Sequence, residues 1–479
     1  MITRREAIVL GAGALLTAGC GSSGTEPTRT GSTLASTWAD PAGTGTLHPG
    51  AGEPLIARTD LGPARPASRV IATLAHVTDA HVLDASSPAR VPFLDRLGDP
   101  FESTFRPQEA LSAQVLAGAI RAVRALRPDA VIQGGDLIDN DQRNELAWAM
   151  HVLRGGLVHT GRYHGVQLAS DPDPFYYRPD LDAPRHPGLL RQAGRPFVSP
   201  GVRAPVYPVL GDHDILVAGE LVPTETTRAL AVGDQALWEL PQGISLPPGT
   251  QLTAGGSPDG PPLPGLVDQF LAQALAGPKV RVPADPARRQ MDPTEVLDRL
   301  RPGTTGSLDY AVDVGHELRL IVLDLARRGG GSGGLVRPDQ PGGLAGQLSG
   351  SGDRWVVVVS HQPLGSSDGG EQLLSLLDGH PRVIAVLARH THRNSIEPRG
   401  HHWLINTASL IDYPQQARAL RIVHTAGGGV AIQTWMLDHT GSELGAISRQ
   451  LAYLDAQGGR PKGFSGGRLD RNVRLYRAT

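Results

Sequence analysis

Five short stretches carry side chains whose types and spacing can hold metal ions. They read Thr78-Asp79-Ala80-His81, Gly134-Gly135-Asp136-Leu137-Ile138-Asp139, Gly211-Asp212-His213-Asp214, Ser360-His361-Gln362-Pro363 and Arg389-His390-Thr391-His392-Arg393-Asn394. Each alone says little, because an Asp-x-His arises by chance and a lone His beside a strand is usually a satisfied structural residue. Together they mix carboxylates with imidazoles, a donor set that suits Mn, Fe or Zn, whereas an all-oxygen set would suit Mg or Ca. Two such ions about 3.5–4 Å apart need a bridging ligand, and a carboxylate with two oxygens supplies one. A pair of this kind lowers the pKa of a shared water and neutralises charge that develops on a phosphate during in-line displacement.

Each stretch closes a short apolar run: residues 70–77, 130–133, 206–210, 355–359 and 383–388. Near-continuous apolar runs of this length fit strands buried on both faces. Between the first two, residues 107–126 place Leu111, Val115, Ile120, Val123 and Leu126 at helical spacing. Strand, helix and strand in such close succession predict a layered α/β fold. In open α/β sheets, ligands bind beyond the C-terminal ends of the strands, which is where all five stretches fall. Residues 318–325 and 419–424 read as further strands, and the Gly-rich run 329–334 as a flexible loop.

In this order the five pieces resemble the signature D-x-H, G-D-x-x-D, G-N-H-D, a lone His and G-H-x-H of the calcineurin-like metallophosphoesterases. The resemblance spans roughly residues 69–440. Together with the leader described below, the long insertions are similar to those of an actinobacterial, twin-arginine-exported branch. The resemblance implies a calcineurin-like two-sheet α/β sandwich flanked by helices, hydrolysing phosphomono- or phosphodiesters with metal-activated hydroxide. It also implies two divalent or trivalent transition metal ions. Carried over residue by residue, Asp79, His81 and His392 hold the first ion, Asp212, His361 and His390 the second, and Asp136 bridges. His213 protonates the leaving oxygen or stabilises phosphate charge, and Asp214 orients it, as general acid catalysis requires. Asp139 stands where purple acid phosphatases place a Tyr ligand, so no iron–tyrosinate site is expected.

Two positions depart from the signature. Asp212 replaces the usual Asn, and Arg389 the usual Gly before the His pair. A third carboxylate makes the site less positive, which raises the pKa of a shared water and weakens attraction for phosphate. Arg389 either contacts substrate phosphate or, as alternation along an extended segment favours, points away and packs. A second reading therefore stands beside the enzyme: a metal-dependent binding or sensing protein with little turnover. Retention of His213 and Asp214 favours the enzyme, because a pure binder needs no proton donor. Among the other histidines, His76, His401 and His402 read as structural and His439 as structural or supporting the site.

The chain divides into an export signal (1–20), a Gly/Ser/Pro-rich tether (21–66), a catalytic domain (67–445) with insertions at 156–205 and 215–305, and an extension (446–479) packed on it. Thr3-Arg4-Arg5, a short apolar run over residues 7–19 and small residues before Cys20 describe a twin-arginine-like signal for export, too short to span a bilayer. Cys20 is the chain's single cysteine, which excludes an intramolecular disulfide. Whether it carries a lipid anchor to the membrane or merely follows the signal is open, as are substrate and oligomeric state. The cluster Tyr163, Phe175, Tyr176 and Tyr177 either packs its insertion onto the domain or stacks on a small molecule. A net charge of -2 gives no basic platform for nucleic acid. No Gly-x-x-x-x-Gly-Lys-[Ser/Thr] phosphate loop and no Gly-x-Ser-x-Gly elbow occurs.

Overall fold

Thirteen strands form the two large sheets of the computed structural model, which describes residues 26–90, 106–162, 179–237, 241, 260–263, 265–457 and 463–478. The export segment with Cys20 and the Tyr163, Phe175, Tyr176 and Tyr177 cluster lie outside the described residues. The first sheet is built from β1 (Ile56–Leu61), β2 (Ala67–Val77), β3 (Ala130–Gln133), β4 (Val206–Pro208), β11 (Gln416–Thr425), β12 (Val430–Asp438) and β13 (Val473–Arg477). Its order is β1-β13-β12-β11-β2-β3-β4. The second comprises β5 (Tyr310–Val314), β6 (Leu318–Leu323), β7 (Trp355–Ser360), β8 (Val383–Ala388), β9 (Ser395–Arg399) and β10 (His402–Asn406), in the order β5-β6-β7-β8-β10-β9. β2, β3 and β4 run parallel, as do β6, β7, β8 and β10.

Alternation along the inner strands explains the two-faced apolar runs. Leu320, Val322, Val357, Val359, Ala385 and Leu387 join the core shared with the first sheet. The intervening Ile321, Val356, Val358 and Val386 pack instead on the helices Gln340–Ser349 and Gly370–Asp378, through Leu344, Leu348, Leu373 and Leu377. Helix α1 (Ser112–Leu126) follows a one-turn 3₁₀ start and buries Val115, Leu116, Ile120 and Val123 in the shared core. The result is a two-sheet α/β sandwich with helices outside, as the sequence predicts.

Three expectations need correction. The described part of the supposed tether is built into the domain: Leu34 is buried, Thr33 N donates to Met436 O over 3.0 Å, and β1 pairs parallel with β13. Its pattern of half-buried and exposed positions is that of an edge strand wetted on one face, so its sequence lacks a strong apolar signal. The segment after 445 is likewise more than a packed extension, because β13 lies inside the sheet between β12 and β1. The loop at 329–334 is tied down, with Gly331 N on Glu220 O at 2.8 Å and Ser332 O accepting from Gln362.

Both insertions contribute ordered pieces. Gly156–Val158 pairs antiparallel with Phe197–Ser199, and Met291, Val296 and Leu297 of the second insertion enter the main core. Buried Arg288 bonds Asp84 Oδ2 at 2.7 Å, stapling that insertion behind the first site loop. Among the described residues no helix is long and apolar enough to cross a membrane.

Candidate metal centre

The five loops meet at one end of the sandwich. Loop 78–81 follows β2, 134–139 follows β3, 211–214 lies beyond β4, 361 follows β7 and 389–392 follows β8. Adjacent parallel strands bring the first three together, and Val82 bridges to Ile138 just beyond the ends of β2 and β3. His81 N donates to Asp136 O over 3.1 Å and Asp79 N to Gly135 O over 3.2 Å.

This knitting holds an unusual backbone. Asp79, His81, Asp136, His390 and His392 all have positive φ, at 48°, 42°, 46°, 60° and 54°. Non-glycine residues held in this region cost on the order of 1 kcal/mol each and persist where surrounding structure fixes them. Gly135, at φ +93°, has no room for a side chain, since a Cβ would stand 2.5 Å from His361 Nδ1.

All seven residues expected to hold ions converge. Asp79, His81, Asp136 and His392 each offer one ligand atom, all within 4.8 Å of one another, and so do Asp136, Asp212, His361 and His390. Asp136 belongs to both groups. His213 lies beside them, joined to His81 and Asp139 in a third cluster and packed edge-on to His81 with ring centroids 4.5 Å apart.

The donor geometry fits metal ions. His361 Nδ1 lies 3.1 Å from the Gly134 carbonyl, which can only accept, so Nδ1 carries the hydrogen. Its buried Nε2 then faces Asp136 Oδ2 at 3.1 Å and Asp212 Oδ1 at 3.2 Å. A neutral ring would aim a lone pair at two carboxylate oxygens, so a proton or a metal ion must stand between them. His392 repeats the pattern, with Nδ1 2.6 Å from Asp412 Oδ2 and Nε2 3.4 Å from Asp79 Oδ1. Burial lowers the pKa of these rings, yet the carboxylates prevail: Asp136 leads in raising His361, Asp212 raises His390, and Asp412 with Asp79 raises His392 to about 10. Such a field is the demand for positive charge that divalent ions would meet.

Of the two residues given catalytic roles, Asp214 departs from expectation. His213 Nδ1 donates to the Asp139 carbonyl over 2.7 Å. Burial, with His81 adding repulsion, holds its imidazole down to about 4, so Nε2 presents a lone pair at neutral pH. Asp214 does not orient His213. Its Oδ1 accepts from Leu137 N at 2.9 Å and Ile138 N at 3.3 Å, and its Oδ2 from Gly211 N at 2.9 Å. A carboxylate spent on three backbone donors ties loop 134–139 to loop 211–214 and leaves the imidazole to another partner.

Arg389 is fully buried and packs, with Nη1 donating to the Gly134 carbonyl, so it cannot touch substrate. Burial pushes its guanidinium down to about 9. Of the other histidines, His76 is buried with Nδ1 2.9 Å from Thr407 Oγ1, His402 is buried in β10, and His439 is buried outside the ligand clusters.

Sequence reading missed Asp412, which holds His392, and Gln362, which donates to Asp212 Oδ1 over 3.0 Å. It noticed Asp139 only as a substituted ligand, whereas its Oδ1 lies 3.3 Å from His81 Nδ1. Asp412 follows β10, so the strand-end rule that located the five loops could have found it too.

No protein-family model and no curated protein matches this sequence. Its structure is similar to that of a dimetal phosphatase from Danio rerio, with 13% identity, a TM-score of 0.39, and 78% of this chain and all of that one covered. A purple acid phosphatase from yellow lupin gives 11% identity and a TM-score of 0.33, covering 83% of this chain and 55% of that one. GAP50, the anchor in the inner membrane complex of Plasmodium, gives 12% and 0.30, covering 80% and 94%. At these scores the likeness assigns no role to any residue here; the site stands on its own side chains.

Proposed function

We propose that this chain is a phosphoesterase that carries two transition metal ions and hydrolyses phosphomono- or phosphodiesters. The observation that carries the reading is the paired ligand set sharing Asp136, with His361 Nε2 aimed between Asp136 and Asp212. Asp79, His81 and His392 would hold one ion, Asp212, His361 and His390 the other, and Asp136 both. When bound, the pair supplies a nucleophilic water of lowered pKa and neutralises charge on the phosphate oxygens.

The chain's own groups do the rest. His213, at the edge of the ligand clusters, meets an incoming ester with Nε2. Negative charge arriving there favours the imidazolium, which can then give its proton to the leaving oxygen. Asp139, through its carbonyl, keeps that ring turned with Nε2 toward the site. The Thr3-Arg4-Arg5 start and apolar run before Cys20 support export, so we place the activity outside the cytoplasm, in keeping with the twin-arginine-exported branch the sequence resembles.

The test is metal content of the full chain together with hydrolysis of bis-p-nitrophenyl and p-nitrophenyl phosphate with Mn, Fe or Zn. About two ions per chain and turnover that vanishes in His361→Ala are expected, and the ester preferred separates diesterase from monoesterase. Two ions with no turnover on either ester would turn the reading to a metal-dependent binding protein. No bound metal would overturn it.

A further inference from the structure

Behind the first ligand group runs a chain of buried charges that, among the described residues, the second group lacks. His392 Nδ1 meets Asp412 Oδ2 at 2.6 Å, and Asp412 Oδ1 meets Arg106 Nη1 at 3.0 Å. Arg106 Nε bonds Glu109 Oε1 at 3.2 Å, and Glu109 Oε2 pairs with Arg90 Nη2 at 3.1 Å. Arg90 Nη1 in turn pairs with Asp139, whose Oδ1 lies 3.3 Å from His81 Nδ1. The path therefore leaves the site at one imidazole and returns at the other. Each side chain between the two imidazoles is at most 11% exposed. Arg106 is anchored further by Asp455 Oδ2 at 2.6 Å, on the helix Glu443–Gln457.

The second group is held by other means. His361 rests on the Gly134 carbonyl, and Asp212 on Gln362. Asp136 is the one ligand common to both groups.

We propose that Arg106 and Arg90, with Glu109, Asp139 and Asp412, form a charge brace that positions His81 and His392, so that the affinity of the first metal position is set separately from the second. This rests on the two-ion reading above. An imidazole whose Nδ1–H faces a carboxylate is fixed in tautomer and orientation and made a stronger donor at Nε2. The carboxylates can serve only if each is itself held, and the arginines hold both from one connected piece of structure. Asp139 and Asp412 come from loops far apart in sequence, so Arg106, Glu109 and Arg90 join what the sheets alone leave independent. These arginines are positioning residues; neither touches a reacting atom.

The experiment titrates Mn²⁺ into the metal-free full chain, following binding by calorimetry and the spin coupling of the Mn pair by electron paramagnetic resonance. In Arg106→Gln one position should weaken by about 10–100-fold, the range for loss of a group supporting a metal-bound His. The other should keep its affinity, and the signal at low loading should become that of an isolated ion. Arg106→Lys should recover part of the lost affinity. Gln362→Ala should produce the opposite split. Should Arg106→Gln fail to fold, Asp412→Asn, which keeps an acceptor and removes one charge, makes the same comparison. Equal weakening of both positions, or no change in either, would overturn the brace while leaving the two-ion reading intact. Absence of Mn²⁺ binding in the unaltered chain would overturn both.

Discussion

Gln362 Nε2 donates to Asp212 Oδ1 across 3.0 Å and, in the same geometry, to the Ser332 carbonyl across 3.1 Å. The amide thus fixes an oxygen that lies 3.2 Å from both His361 Nε2 and His390 Nδ1. An asparagine could present its carbonyl oxygen to all three without disturbing Gln362. Asp212→Asn therefore removes a negative charge and little else. Turnover at saturating metal should rise, by about tenfold if the lost charge is worth 1.4 kcal/mol of barrier, while metal affinity falls. Steady-state kinetics against metal concentration separates the two effects, and an equal or lower rate at saturation would count against the charge argument.

Asp214 makes a contrasting prediction. Because it satisfies three backbone donors rather than His213, Asp214→Ala should destabilise the fold by about 2–4 kcal/mol, the scale of hydrogen bonds to a buried charge left without an acceptor. Denaturant unfolding measures this directly. A variant with unaltered stability and a changed pH–rate profile would instead return Asp214 to proton-transfer chemistry.

The N-terminal segment should matter to stability. Removing residues 26–62 deletes β1, uncovers one side of β13 and strips Leu34 from the core. Such a chain is expected to unfold at lower denaturant than one beginning at residue 26 and to aggregate through the freed strand edge. Equal midpoints and equal solubility would show that the pairing contributes nothing.

His439 gives a pH dependence remote from the metal ligands. Burial, with Arg449 and Arg121 adding repulsion, holds its imidazole well below the usual range, so it stays neutral in the fold. Below about pH 6.5 the unfolded chain takes up a proton that the folded one refuses, so stability is lost as pH falls and is unaffected above. His439→Gln should reduce the acid slope by about 1.4 kcal/mol per pH unit. An unchanged slope in unfolding measurements between pH 6.5 and 5 would refute this.

The inner strands and the ligand loops were legible because local sequence records them. A strand buried on both faces needs a run such as Trp355–Ser360, and a metal ligand needs a particular atom type at its end. The supports were not legible, for a physical reason. Arg106 and Asp455 are 349 residues apart, and His392 and Asp412 are 20 apart on different loops, so nothing local marks either pair. β1 escaped because its one-sided burial leaves Ala57, Thr59 and Asp60 exposed and fills an inward position with Arg58, so its polar texture reads as a tether. Asp214 was misassigned because adjacency to His213 in sequence does not decide which way a side chain turns.

The five ligands with left-handed backbone bear on how ions are exchanged. Three of them, Asp79, His81 and Asp136, are tied by main-chain bonds between loops, such as His81 to Asp136 and Leu410 to Asp79. Loops tied together in this way should accept one cation in place of another without rearranging. A rigid mixed carboxylate–imidazole frame discriminates poorly among ions of similar radius, whose intrinsic affinities follow the order of the transition series. Mismetallation is then governed by which metals the surroundings supply when the protein is loaded, and changing that supply would change what the site can do without changing its sequence.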